Sequence, residues 1–169
     1  MNIETLKLVE PPKKARLLWP YSKELGGVDK NQVPTIEFRD DGNIQIAELP
    51  MRDASGLPIQ NLYVIGVDGV DLGKETSTGQ KDVSKYAIVV LRRAIGLKPP
   101  KIVACYKERP DNPEDAHNTA LKLAQFYNGK ILFEATRVSI FAHFKHLGKL
   151  NYFLKRPRTV ITSRAQNAN

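Results

Sequence analysis

The run Tyr63-Val64-Ile65-Gly66-Val67-Asp68-Gly69 constrains this chain more than any other segment. Aromatic and β-branched side chains favour pleated backbone, and a short apolar run bounded by glycine suits a strand covered on both faces. It ends in an acid. A carboxylate that loses water at the end of a buried strand stays charged cheaply only beside a metal ion or a base. Lys130-Ile131-Leu132-Phe133-Glu134 repeats the design, apolar residues closing on one carboxylate. Two such strands bringing Asp68 and Glu134 to one sheet edge would form a site for a hard cation.

The segments between them predict the order of elements. Lys85 to Arg92 and Ile102 to Tyr106 are strand-like and follow the first strand through short turns, which predicts an antiparallel meander. Asn112-Pro113-Glu114-Asp115 starts a helix, with Asn as cap, Pro in the first turn and acids at the positive end of the dipole. Ala116, Ala120, Leu123, Ala124 and Tyr127 recur at helical spacing, and Gly129 is the expected stop. A second helix is expected over about 137–147, with Val138, Phe141, Phe144 and Leu147 as its apolar stripe. Three antiparallel strands, a helical crossover and a fourth strand form the order of a ribonuclease H-like α/β sheet flanked by helices. In that order the first and fourth strands lie side by side, and Asp68 meets Glu134.

The preceding segments are less patterned. Residues 1–34 hold Pro11-Pro12, Trp19-Pro20-Tyr21 and Gly26-Gly27, and predict an irregular linker or wrap before a domain over 35–169. Thr35 to Arg39 and Asn43 to Glu48 alternate apolar and polar residues around Asp41-Gly42, which predicts a β-hairpin.

At 169 residues the chain is long enough for one domain with its own core. No apolar run approaches the length of a membrane span, so no membrane partner is expected. The single cysteine, Cys105, excludes an internal disulfide and predicts a buried, inert thiol. The net charge of +8 is unevenly placed. Arg137, Lys145, Lys149, Lys155, Arg156, Arg158 and Arg164 follow Glu134 with no acid among them, leaving +1 on residues 1–134. A basic end on a nearly neutral body points to a polyanion, nucleic acid above all.

Gly73-Lys74 does not make a phosphate loop, because Asp68 stands where the first glycine belongs and Glu75 where Ser or Thr is needed. Asp71 and Asp82 flank the same loop. Asp82 is either an auxiliary metal ligand or, with Ser84, a cap on the turn into the next strand. His117, His143 and His146 lack zinc spacing, and phosphate contact or plain surface suits them better. Tyr152, Phe153, Lys155, Arg156 and Arg158 mix aromatics with bases, as nucleic-acid grooves do.

From Gly42-Asn43-Ile44-Gln45-Ile46 through Tyr63 to Asp68, Asp82-Val83-Ser84, Ala87 to Val90, Ala120 to Asn128 and Ile131 to Glu134, the chain resembles the nuclease domain of tailed-bacteriophage terminase large subunits. The resemblance covers roughly residues 40–160 and rests on the order and spacing of several motifs. It implies a ribonuclease H-like, metal-dependent endonuclease that cuts concatemeric viral DNA during genome packaging, using two Mg²⁺ or Mn²⁺ ions. It carries the family's first-strand aspartate onto Asp68, its central-strand glutamate onto Glu134, and the acid and serine before the second strand onto Asp82 and Ser84. It makes Lys145, Lys149, Lys155, Arg156 and Arg158 the DNA-following bases. The implied partners are double-stranded DNA, the ATPase half of the terminase, the small terminase subunit and the portal. The implied setting is the cytoplasm of the infected host and, transiently, the procapsid portal. The family's third metal-binding aspartate has no counterpart after Glu134, so an incomplete nuclease domain is expected. Two rivals are a non-catalytic DNA- or partner-binding module of the same fold and a resolvase- or transposase-type nuclease.

Overall fold

The computed structural model describes residues 12–69, 85–133 and 138–155. In chain order the strands are β1 (Lys13–Leu18), β2 (Tyr21–Ser22), β3 (Gly27–Val28), β4 (Thr35–Phe38), β5 (Ile44–Ile46), β6 (Tyr63–Asp68), β7 (Tyr86–Arg92), β8 (Lys101–Glu108) and β9 (Lys130–Phe133). Helix α1 (Pro113–Phe126) lies between β8 and β9, and α2 (Val138–His146) follows β9. Seven strands form one mixed sheet in the order β4-β1-β5-β8-β7-β6-β9, while β2 and β3 form a separate ribbon. The protein is therefore α/β with a mostly antiparallel sheet.

The expected meander is present. β6 pairs antiparallel with β7, and β7 with β8. The crossover through α1 returns the chain to β9, which lies parallel to β6 with Val64, Ile65, Gly66 and Val67 opposite Lys130, Ile131, Leu132 and Phe133. Helix α1 starts as its sequence demands, with the Asn112 side chain accepting from the Glu114 amide at 3.0 Å. Its stop differs from expectation. Asn128, not Gly129, takes the left-handed turn at φ 49°. Gly129 is needed for space, since a Cβ there would press on the Tyr63 backbone oxygen at 3.1 Å and on the Ile65 side chain.

Both helices cover one face of the sheet. Tyr63, Ile65, Val67, Ile88 and Val90 point into a core shared with Ala116, Ala120, Leu121, Leu123 and Ala124 of α1, all buried. The buried stripe of α2 is Ile140 and Phe144, with Leu147 partly covered. Phe141, expected in that stripe, is 41% exposed and stacks on Phe153 with ring centroids 6.0 Å apart. Beyond α2 the chain turns back, and Phe153 bridges Ile131 in the parallel sense. The other face of the sheet carries Val64, Gly66, Ala87, Val89, Leu91, Ile102, Cys105 and Leu132, none of them buried. So Cys105 is partly exposed and not sealed in the core, its Sγ 3.5 Å from Gln45 Oε1.

Two expectations for the N-terminal part need correction. Residues 13–18 are not irregular: β1 runs inside the sheet between β4 and β5, with Ala15 and Leu17 buried. Consequently β4 and β5 do not form a hairpin. Each pairs antiparallel with β1, on opposite edges, and Ala15 faces both Phe38 and Ile44. The Asp41-Gly42 step takes the chain across β1, and a Cβ on Gly42 would lie 2.6 Å from the carbonyl carbon and oxygen of Ala15. Trp19, at the end of β1, is buried and tied to α1: its Nε1 donates to Gln125 Oε1 at 2.6 Å. Among the described residues no helix is long and apolar enough to cross a membrane.

Candidate metal and nucleic-acid site

Strand alternation decides where Asp68 points. The inward side chains of β6 are Tyr63, Ile65 and Val67, so Asp68 falls on the open face with Val64 and Gly66. It is exposed, and the desolvation cost expected for a buried carboxylate does not arise. Its opposite number on β7 is Ala87. Because Gly66 has no side chain, Val89 and Leu132 flank an open groove of about 470 Å³ that runs along the sheet to Asp68. Asp68 makes no ion pair with a described residue. An exposed carboxylate without a basic partner suits a hard cation as one donor of a set.

The paired register of β6 and β9 ends at Val67 opposite Phe133, one residue short of the two acids. Glu134, Asp71, Asp82 and Ser84 lie outside the described residues, as do Arg137, Arg156, Arg158 and Arg164. Among the described residues there is no group of three or more His, Cys, Asp and Glu able to hold a metal.

The structure spreads the described bases along the fold. Lys145 is exposed in the last turn of α2. Lys149 is half-buried, and its Nζ donates to Asn31 Oδ1 at 2.6 Å. α2 starts at the strand end that carries Asp68, where Ser139 and Ile140 lie near Val67, and neither Lys145 nor Lys149 lines the groove that runs to Asp68. Lys155 is different. Its segment runs parallel to β9, with Phe153 beside Ile131 and the Leu154 amide donating to the Ile131 carbonyl at 2.9 Å. Two residues past that bridge, Lys155 leaves the sheet edge level with Phe133, at the end that carries Asp68.

Two histidines expected at the surface belong to the helix packing. His117 is 3% exposed, its ring 5.9 Å from Tyr86 and 5.3 Å from His143. Burial, then the neighbouring His143, pushes its pKa down to about 4. His143 is lowered too, chiefly by burial. Its Nε2 lies 3.1 Å from Asn118 Oδ1, which also accepts from Lys30 Nζ at 3.4 Å. An amide oxygen only accepts, so in this arrangement His143 carries its proton on Nε2. Tyr86 on β7 is buried beneath the same strand end, and its phenol is raised by burial first, then by Tyr106 and by Asp68. The sequence carried a signal for His117. It stands four residues before Leu121 and seven before Ala124, on the apolar stripe of α1.

A scan of protein-family models finds none that matches this chain, and no curated protein matches it.

Proposed function

We propose that this chain is the nuclease domain of a tailed-bacteriophage terminase large subunit, ribonuclease H-like in fold, hydrolysing phosphodiester bonds of concatemeric DNA with two Mg²⁺ or Mn²⁺ ions. The supporting observation is the parallel pairing of β9 with β6 after the antiparallel series β6, β7, β8. The described register ends with Val67 opposite Phe133, and in the sequence an acid follows each of them. Asp68 and Glu134 then hold the metal, with Asp82 as the third carboxylate. When bound, the ions would supply an activated water and stabilise the leaving oxygen. The chain's own part, among the described residues, is to present Asp68 at one sheet end beside a groove floored by Gly66, with Lys155 leaving the sheet edge at that end; Glu134, Arg156 and Arg158 are the further residues this reading calls on. In this reading the protein works in the cytoplasm of the infected host and at the procapsid portal, with the ATPase half and the small subunit as partners.

The seven bases and no acids of residues 135–169 suit a second reading, a non-catalytic DNA- or partner-binding module of the same fold. Nicking of supercoiled plasmid in Mn²⁺ separates the two. Wild-type nicking that Asp68→Ala and Glu134→Ala each abolish supports the nuclease. DNA binding without nicking selects the module. Nicking that survives both substitutions removes these residues from the site.

A further inference from the structure

A small cavity lies under the strand end that carries Asp68, between the inner face of the sheet and the two helices. Val67 and Gly69 line it from β6 and its end, Tyr86 from β7, His117 from α1, and Ser139 and Ile140 from α2. It offers about 10 Å³ to water, roughly the room for one molecule. Tyr86 and His117 are each 3% exposed. Yet among the described residues the Tyr86 hydroxyl and His117 Nδ1 have no hydrogen-bond partner. Buried polar groups are nearly always paired, because leaving one unpaired in low dielectric is costly. Two unpaired atoms on the wall of one small cavity are best explained together.

The chemistry narrows the occupant. An apolar guest would satisfy neither atom. A neutral phenol and one imidazole nitrogen are too few donors for a cation of fixed coordination. Water can accept from the Tyr86 hydroxyl while donating to His117 Nδ1, and Ser139 lines the same cavity. We propose that this cavity is a binding site for a single structural water, which bridges Tyr86 Oη and His117 Nδ1 and so ties β7 to α1 beneath the end of β6. The proposal does not depend on the nuclease reading, and either can fail alone.

The test combines crystallography of the full chain, with and without xenon pressure, and the stability of Tyr86→Phe. The expected result is a solvent peak within about 2.6–3.2 Å of both atoms and no xenon in the cavity. Tyr86→Phe should then lower the folding equilibrium constant about tenfold, since the water and His117 lose a partner. The opposite sign is diagnostic. If the hydroxyl is unpaired and dry, Tyr86→Phe removes a buried penalty and stabilises the fold. Stabilisation by that variant, xenon binding, or a cavity without a solvent peak would each overturn the proposal. Should Tyr86→Phe not fold, the wild-type crystals decide it, with His117→Asn, whose amide can reach the Nδ1 position, expected to keep the peak.

Discussion

Gly42→Ala distinguishes the observed crossing of β1 from the hairpin turn that Asp41-Gly42 suggests. An added Cβ would sit 2.6 Å from the carbonyl carbon and oxygen of Ala15, and closer still to its nitrogen. Carbon–carbon contact is comfortable from about 3.5 Å, so roughly 1 Å of movement is required. Ala15 is poorly able to supply it. It is fully buried, and its strand is paired to β4 on one edge and β5 on the other. Overpacking costs about 1–3 kcal/mol, and a clash against pinned backbone belongs near 3. For a chain of this size each kcal/mol moves the melting point by about 2–4 °C, so Tm should fall by about 6–12 °C. Gly27→Ala is the control. Nothing lies within 4 Å of its added Cβ, and the loss of unfolded-state freedom should leave it neutral or stabilised by about 0.4–1 kcal/mol. Thermal unfolding followed by circular dichroism reads both, and amide exchange should show β1, β4 and β5 loosening together in Gly42→Ala. A drop no larger than about 2 °C, or one equal to that of Gly27→Ala, would refute the crossing.

Other predictions use the same reasoning. His117 is held near a pKa of about 4 against an ordinary 6.5, so the unfolded chain takes up a proton first as pH falls. Stability that is full above about pH 6.5 should decline toward pH 4, by on the order of 2 kcal/mol after screening, with His143 adding in the same direction. A His117→Gln/His143→Gln variant should flatten Tm against pH over that window, and an unchanged slope would count against the packing described. For DNA, a Lys155/Arg156/Arg158 triple alanine should flatten the salt dependence of binding by about 0.9 per lost phosphate contact, with no change of sequence preference. Lys145→Ala/Lys149→Ala should do less, because neither residue lies on the segment that runs beside β9 past Phe153. Equal slopes for wild type and both variants would sink the groove assignment.

What could be read from the sequence follows the range of the forces involved. The apolar run of β6, the Asn112-Pro113 start of α1 and the 3.6-residue spacing inside it are local codes, and each appears where its residues predict it. Pairing partners are not local. Ile36, Phe38, Ile44 and Ile46 mark two strands, but nothing in their alternation says that β1 will come between them. β1 itself buries only Ala15 and Leu17 of its six side chains and carries three bases, so it looks like surface chain. Gly42 and Gly129 were legible as glycines and misleading as turns, since both are required for close approach to another strand. Asp68 does end its strand, but exposed to water and not in a buried setting. A continuous apolar run is the usual mark of a strand covered on both faces. Here the helices cover one face, while Val89, Leu91, Ile102 and Leu132 remain 38–58% exposed on the other. The same openness leaves Asp68 in water at the end of a groove. In the proposed nuclease a cation would therefore meet Asp68 in water, without the desolvation cost that a buried carboxylate carries.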